Sequence, residues 1–433
     1  MAVLISACSG DSKPVGTVGH VKGFAGAVAG DEPAAVIAAR DVLSAGGNAV
    51  DAAVTLYFSL AVTLPSTASL GGGGSCVVHD ANKKVVEALD FQAPPVARQG
   101  ELAMAVPSNA RGIYALWARH GLLRWESLLA EPERMARAGT TVSRALASDL
   151  AVAALRLSED AEARRLFFRA DGRVLNEGDR MQNLDLAAII SWLRRAPGEI
   201  YVGQQAREIA AAAGRAGGGL SIEDLRDVRP QYVAGGVVPV GNDTAVLAPV
   251  RGDGGSVLSA MVKRRAAERP QMVAERVGAA AAQQGATGFR GYPPGTGFAV
   301  IDSFGNGVVC GMSANGLFGT GRVAPGTGIV LAAPPVGDNA AAVPALLVNL
   351  HSHEVHFAGV AGGGASPSAA LAAALLAVAD EERPLDQAAQ AAGAGGGGSK
   401  VNLLACPRGG ANGDCTVATD AKGFGYAVMV GRR

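Results

Sequence analysis

The sequence carries no excess charge of either sign: 38 Lys and Arg stand against 38 Asp and Glu. That balance gives no support to nucleic-acid binding or to a polybasic membrane contact, both of which need a cationic surface. Cysteine is scarce, at five in 433 residues, too few for a disulfide scaffold. None of the cysteines has CxxC spacing, which argues against zinc. The longest apolar run, Ala52–Leu64, is interrupted by threonines and Ser59 and is too short to span a bilayer. No P-loop and no Gly-x-Ser-x-Gly elbow occurs, and Gly71–Gly74 lacks the spacing and downstream acid of a dinucleotide fingerprint. No cofactor is therefore expected. Disorder is a poor description too, because 49% of residues are hydrophobic and the 60 Gly and 21 Pro stay below the disordered regime.

What is present reads as layers. Phe24–Ala29 predicts a strand, and Asp31-Glu32-Pro33 opens a helix over Ala34–Leu43, with acids at its positive end and proline in its first turn. Asn48–Asp51 starts a second helix, apolar all round and hence buried, that stops at Pro65. Ser75–His79 and Val85–Phe91 flank a turn and predict a hairpin. Residues 106–215 read as helical, and Ser221–Asp224 as a capping box. Gly252–Gly255 reads as a turn before a helix at Ser256–Lys263. Further hairpins are expected at Phe298–Met312, Ala345–Val360 and Thr416–Gly431, with a helix over Ser366–Asp380 and a low-complexity loop at Gly393–Ser399. Helices followed by hairpins, twice over, predict helix layers packed on antiparallel sheets.

The cysteines divide into two kinds. Cys76 and Cys310 lie in apolar runs and read as small buried side chains. Cys406 and Cys415 bracket a turn-rich stretch that a disulfide could close in an oxidising compartment. His351, His353 and His356 are the densest ligand-like cluster, but they lie on a strand–turn–strand with no second cluster to complete a site, so a solvated hairpin is expected and no metal.

Two blocks resemble the γ-glutamyltranspeptidase (glutathione hydrolase) family of N-terminal-nucleophile (Ntn) hydrolases. One runs from Asp41 through Gly46-Gly-Asn-Ala-Val-Asp-Ala-Ala53 and Gly71–Gly74 to Phe91; the other runs from Phe298 through Ser313-Ala-Asn315 to Ile329. The resemblance implies an α+β fold, a four-layer αββα sandwich. It also implies a precursor that cuts itself before a threonine, whose hydroxyl attacks and whose amine serves as base. Residues 23–294 would correspond to the large subunit and 295–433 to the small one, after a tether over 1–22.

The family's site residues carry over unevenly. Counting back from Asp302, the nucleophile's position falls on Gly295, which has no hydroxyl. Thr296 is one residue off, and alternation along a strand turns it to the other face unless a bulge intervenes. The arginine that grips the glutamyl α-carboxylate is replaced by Gln92, which cannot make the charged bidentate pair. The serine pair is replaced by Ala340-Ala341, and the region of the amine-binding acid has no carboxylate until Asp338. Ser313 and Asn315 match positions beside the nucleophile, and Gly362-Gly363 match the oxyanion pair. These substitutions lead to the expectation of an unprocessed chain without glutathione hydrolase or transpeptidase activity, acting as a binding or structural component. The alternatives are an active γ-glutamyl enzyme cut before Thr296, or a hydrolase of another amide using Thr296. Ile5-Ser-Ala-Cys8 resembles a bacterial lipobox, so a periplasmic or cell-envelope location with lipid on Cys8 is expected. The expected partner is an envelope protein or a small amide or peptide.

Overall fold

The computed structural model describes residues 23–250, 259, 294–335, 340–379, 381–395, 398–420 and 423–431. Cys8, Asp338 and, apart from Ser259, the turn and helix expected over 252–263 lie outside them. The strands of the two large sheets are, in chain order, β1 (Gly26–Gly30), β2 (Gly73–Asp80), β3 (Val85–Phe91), β4 (Gln231–Val233), β5 (Gly236–Val240), β6 (Asp243–Leu247) and β7 (Thr296–Asp302). They continue with β8 (Gly307–Ser313), β9 (Ala342–Asn349), β10 (Glu354–Gly362), β11 (Lys400–Ala405), β12 (Thr416–Thr419) and β13 (Tyr426–Val430). The first sheet has the order β13-β1-β7-β8-β2-β3-β4 and the second β12-β11-β10-β9-β6-β5. Every pairing within them is antiparallel.

Alternation along β7 shows how four layers arise. Phe298 and Val300 turn to one side and join a core with helices α1 (Pro33–Ser44) and α2 (Ala49–Thr63). Ala299 and Ile301 turn to the other and meet Leu346, Val348 and Val360 of the second sheet. That sheet's far face packs Phe357 and Leu403 on helix α6 (Pro367–Ala379), beside α7 (Leu385–Gly395). The order helix, sheet, sheet, helix is the αββα sandwich expected.

Local sequence sets the helix starts. Glu32 caps α1 through Oε2, which accepts the Ala35 N–H at 2.9 Å, with Pro33 following in the first turn. Asn48 and Asp51 form a reciprocal capping box on α2, all fifteen of whose residues are buried. The Asp51 carboxylate also accepts the N–H groups of Leu122 and Leu123, each at 2.9 Å, which ties α2 to the end of helix α3 (Asn109–His120). Helix α4 (Gln204–Arg215) precedes the helix expected at Ser221, α5 (Ile222–Asp227), whose capping box is in place.

Three expectations are corrected. Cys76 and Cys310 are not separate thiols but a disulfide, because they are direct cross-strand partners in the β2–β8 register. The bond joins residues with a sequence separation of 234. Thr416–Gly431 is not a hairpin: β12 pairs with β11 in the second sheet, whereas β13 pairs with β1 in the first. The stretch from Gly393 is not wholly a loop, since α7 runs on to Gly395. Cys406 and Cys415 do close a short loop by a disulfide, and His351 and His353 lie in the β9–β10 turn. No described helix is long and apolar enough to cross a membrane.

Candidate functional site

The antiparallel order brings several strand ends to one edge of the sandwich. Thr296 at the start of β7 pairs with Met312, next to Ser313 at the end of β8, and Ser313 pairs with Gly73 at the start of β2. On the second sheet Ala342, Gly362 and Lys400 stand in one row across β9, β10 and β11. Gly295, just before β7, packs against Ala341, just before β9. A Cβ added there would lie 2.0 Å from the Ala341 carbonyl oxygen and 2.6 Å from its carbon.

The residues around Gly295 form a closed set of contacts. Ser313 donates its hydroxyl to the Pro294 carbonyl at 2.6 Å and accepts the Asn315 N–H at 2.8 Å. Asn315, at φ 58°, donates its amide to the Ala333 carbonyl at 3.0 Å. Gly362 lies flat against the Gly295–Thr296 peptide, since a Cβ on it would stand 3.0 Å from the Gly295 oxygen and 3.2 Å from the Thr296 nitrogen. Gly363, at φ +63°, donates its N–H to the Ala341 carbonyl at 2.8 Å. The same carbonyl thus fills the space of a side chain at 295 and occupies one of the two N–H groups proposed for an oxyanion.

Thr296 stands apart from this group. Its hydroxyl donates to Asp31 Oδ2 at 2.7 Å, on the helix side of the sheet, and the residue is 1% exposed. The other Asp31 oxygen accepts the Asn402 amide at 2.8 Å, and that amide also donates to the Gly297 carbonyl at 3.0 Å. No bulge re-aims Thr296: the β7–β8 register runs without a shift from Met312↔Thr296 to Gly307↔Ile301. Next to Asp31, burial pushes the Glu32 carboxyl above its ordinary value despite its bonds to Ala35 and Thr63.

Asp31 and Asn402 are the members of this region that sequence reasoning missed. Asp31 reads there as an acid favouring a helix start. The only sequence signal against that reading is the pair of adjacent acids before Pro33, of which one suffices to cap. Gln92 is half-buried; its N–H donates to Asp90 at 3.0 Å and its side-chain amide reaches the Pro249 carbonyl at 3.4 Å. It lines a cleft of ≈ 410 Å³ with Arg111, Arg229 and Gln231. Ala340 is buried and, like Ala341, offers no hydroxyl. His356 pairs with Asp243 at 2.7 Å, while His351 is exposed. Among the described residues no group of three or more His, Cys, Asp or Glu is placed to hold a metal.

A four-layer sandwich with the start of an inner strand set against a strand-to-helix glycine pair defines the Ntn-hydrolase fold class. Within it, the chain belongs to the γ-glutamyltranspeptidase family, whose model matches residues 35–264. It is 30% identical over 234 residues to glutathione hydrolase 3 of Arabidopsis thaliana, covering 50% of this chain and 37% of that one. It is likewise 30% identical over 225 residues to the glutathione hydrolase proenzyme of Escherichia coli, covering 47% and 39%. The chain therefore spans about two fifths of the length of these curated relatives. Among solved structures, a cephalosporin acylase from Bacillus halodurans superposes with a TM-score of 0.74 at 19% identity, over 98% of this chain and 99% of that one, a likeness of fold. The γ-glutamyltranspeptidase of Helicobacter pylori superposes with a TM-score of 0.53 at 25% identity, over 58% and 79%.

Proposed function

We propose that this chain keeps the family's sandwich but binds a ligand or partner instead of cleaving an amide, and that it stays uncut at the Gly295–Thr296 bond. The observation that carries this reading is the contact at Gly295. The position lacks a hydroxyl, and the Ala341 carbonyl already stands 2.0 Å from where its Cβ would be. Attack on an amide needs an oxygen nucleophile beside an open pair of N–H donors. Here the nearest threonine turns its hydroxyl to Asp31, and the Gly363 N–H is taken up by Ala341. Gln92, Ala340 and Ala341 remove three anchors for a glutamyl head, so glutathione is a poor ligand for the remaining surface.

The two disulfides support an oxidising compartment, in keeping with a cell-envelope protein held by lipid on Cys8. A partner in that compartment would be an envelope protein or a small amide or peptide. The test is incubation of the purified chain with a γ-glutamyl anilide, followed by a reducing gel. No chromophore and one band are expected. Chromophore release, or a cut before Thr296 that Thr296→Ala abolishes, would instead establish the active-enzyme reading.

A further inference from the structure

The cleft at Gln92 holds two guanidinium groups that the fold does not use up. Arg111 is fixed in place: its Nη1 donates to the Leu225 and Arg226 carbonyls at 2.9 and 3.0 Å and to that of Val228, which satisfies the end of α5. Its guanidinium also lies over the buried Tyr201 ring, 4.7 Å from the centroid. With Nη1 committed, the Nε and Nη2 donors make no hydrogen bond among the described residues. Those two nitrogens form the edge of the fork that matches a carboxylate. Arg229, four residues beyond Leu225, is exposed and makes no hydrogen bond or ion pair among the described residues. Burial, together with Arg229 nearby, holds the Arg111 guanidinium below its ordinary value against the opposing pull of Tyr201 and Asp227, so an anion at its free edge would favour its charged form.

We propose that this cleft binds a small monocarboxylate, held by the free edge of Arg111 and by Arg229, with Gln92 as a neutral donor. Charge bookkeeping selects a single negative charge. Asp90 and Asp227 line the cleft with the two arginines, and Asp227 is already paired with Arg226 at 2.9 Å. One positive charge is left over, which suits a carboxylate better than a dianion. The ≈ 410 Å³ volume is that of a small-molecule site, and Phe91, Pro94 and Pro230 offer apolar wall for the ligand's body. The inference rests on the binding reading above and names the ligand class for it.

The test uses two probes that differ only in the charge: N-acetylalanine and N-acetylalanine amide, titrated into the full chain by ligand-observed NMR. The acid is expected to bind and the amide not. Arg229→Gln is expected to weaken the acid by about three- to tenfold, and added salt to weaken it further. Equal binding of acid and amide, no binding of the acid, or an unchanged affinity in Arg229→Gln would overturn the proposal, and equal competition by sulfate would overturn its carboxylate class. The mass of the reduced chain in the same tube reports cleavage separately, so failure here is distinguishable from failure of the non-enzymatic reading.

Discussion

Placing a threonine at position 295 is the perturbation that probes this site most sharply. If the chain were an enzyme lacking only its hydroxyl, Gly295→Thr would bring self-cleavage back. The geometry predicts a damaged fold instead. The new Cβ would start 2.0 Å from the Ala341 oxygen and 3.3 Å from the Ala342 Cβ, so the carbonyl must retreat by at least about 1 Å. Overpacking of this kind costs about 1–3 kcal/mol. The retreat also breaks the 2.8 Å bond from the Gly363 N–H, leaving a donor without its partner for about 1–3 kcal/mol more. The sum, about 2–6 kcal/mol, is a large part of the ~5–15 kcal/mol that holds a domain together. Urea denaturation measures it, and Gly295→Ala is the control, since it adds the same Cβ without the hydroxyl. A Gly295→Thr chain as stable as the parent within about 0.5 kcal/mol, or one that cuts itself before residue 295, would refute the reasoning.

Three further outcomes are expected. Thr296→Val removes the hydroxyl from a buried carboxylate and should cost about 1–3 kcal/mol in urea denaturation, while Thr296→Ser avoids most of that loss because it keeps the bond to Asp31. Asp302 is pushed up to about 6 by burial, which outweighs the N–H groups of Ala49, Phe304 and Asn306 that it accepts. Because the folded carboxyl keeps its proton to higher pH than the unfolded one, its contribution is fully present below about pH 4 and is lost as pH rises through about 6. Thermal melts across that window should show a decline of about 3 kcal/mol that Asp302→Asn abolishes. Finally, Cys76–Cys310 closes a loop with a sequence separation of 234, which in the chain-entropy picture is worth about 5 kcal/mol. Reduction, or the double Cys76→Ala/Cys310→Ala variant, should lower the melting temperature by far more than loss of Cys406–Cys415, whose separation is 9.

Much of the sandwich could be read from local chemistry. Asn48 and Asp51 announce a capped helix, an all-apolar stretch announces its burial, and the turn at Asp302–Asn306 announces the hairpin of β7 and β8. The glycine at 295 was equally legible, and it is the resemblance to the family that implies an alcohol at that position. What the sequence did not disclose depends on register between distant segments. Cys76 and Cys310 become partners only when β2 and β8 align. Tyr426–Val430 looks like the return strand of a hairpin, yet β1 offers it an edge in the other sheet. Asp31 is an ordinary helix-start acid until β7 places a threonine hydroxyl beside it. That a backbone carbonyl fills the space at 295 is likewise a fact of tertiary approach, to which alanine at 341 contributes no signal.

The central claim, that no alcohol among the described residues is placed to attack the bond before Thr296, is tested most directly by the intact mass of the chain purified from its host and fully reduced. Reduction matters because Cys76–Cys310 would hold the two halves of a cut chain together. The account predicts a polypeptide continuous through residues 295 and 296. A fragment whose first residue is Thr296 would contradict it.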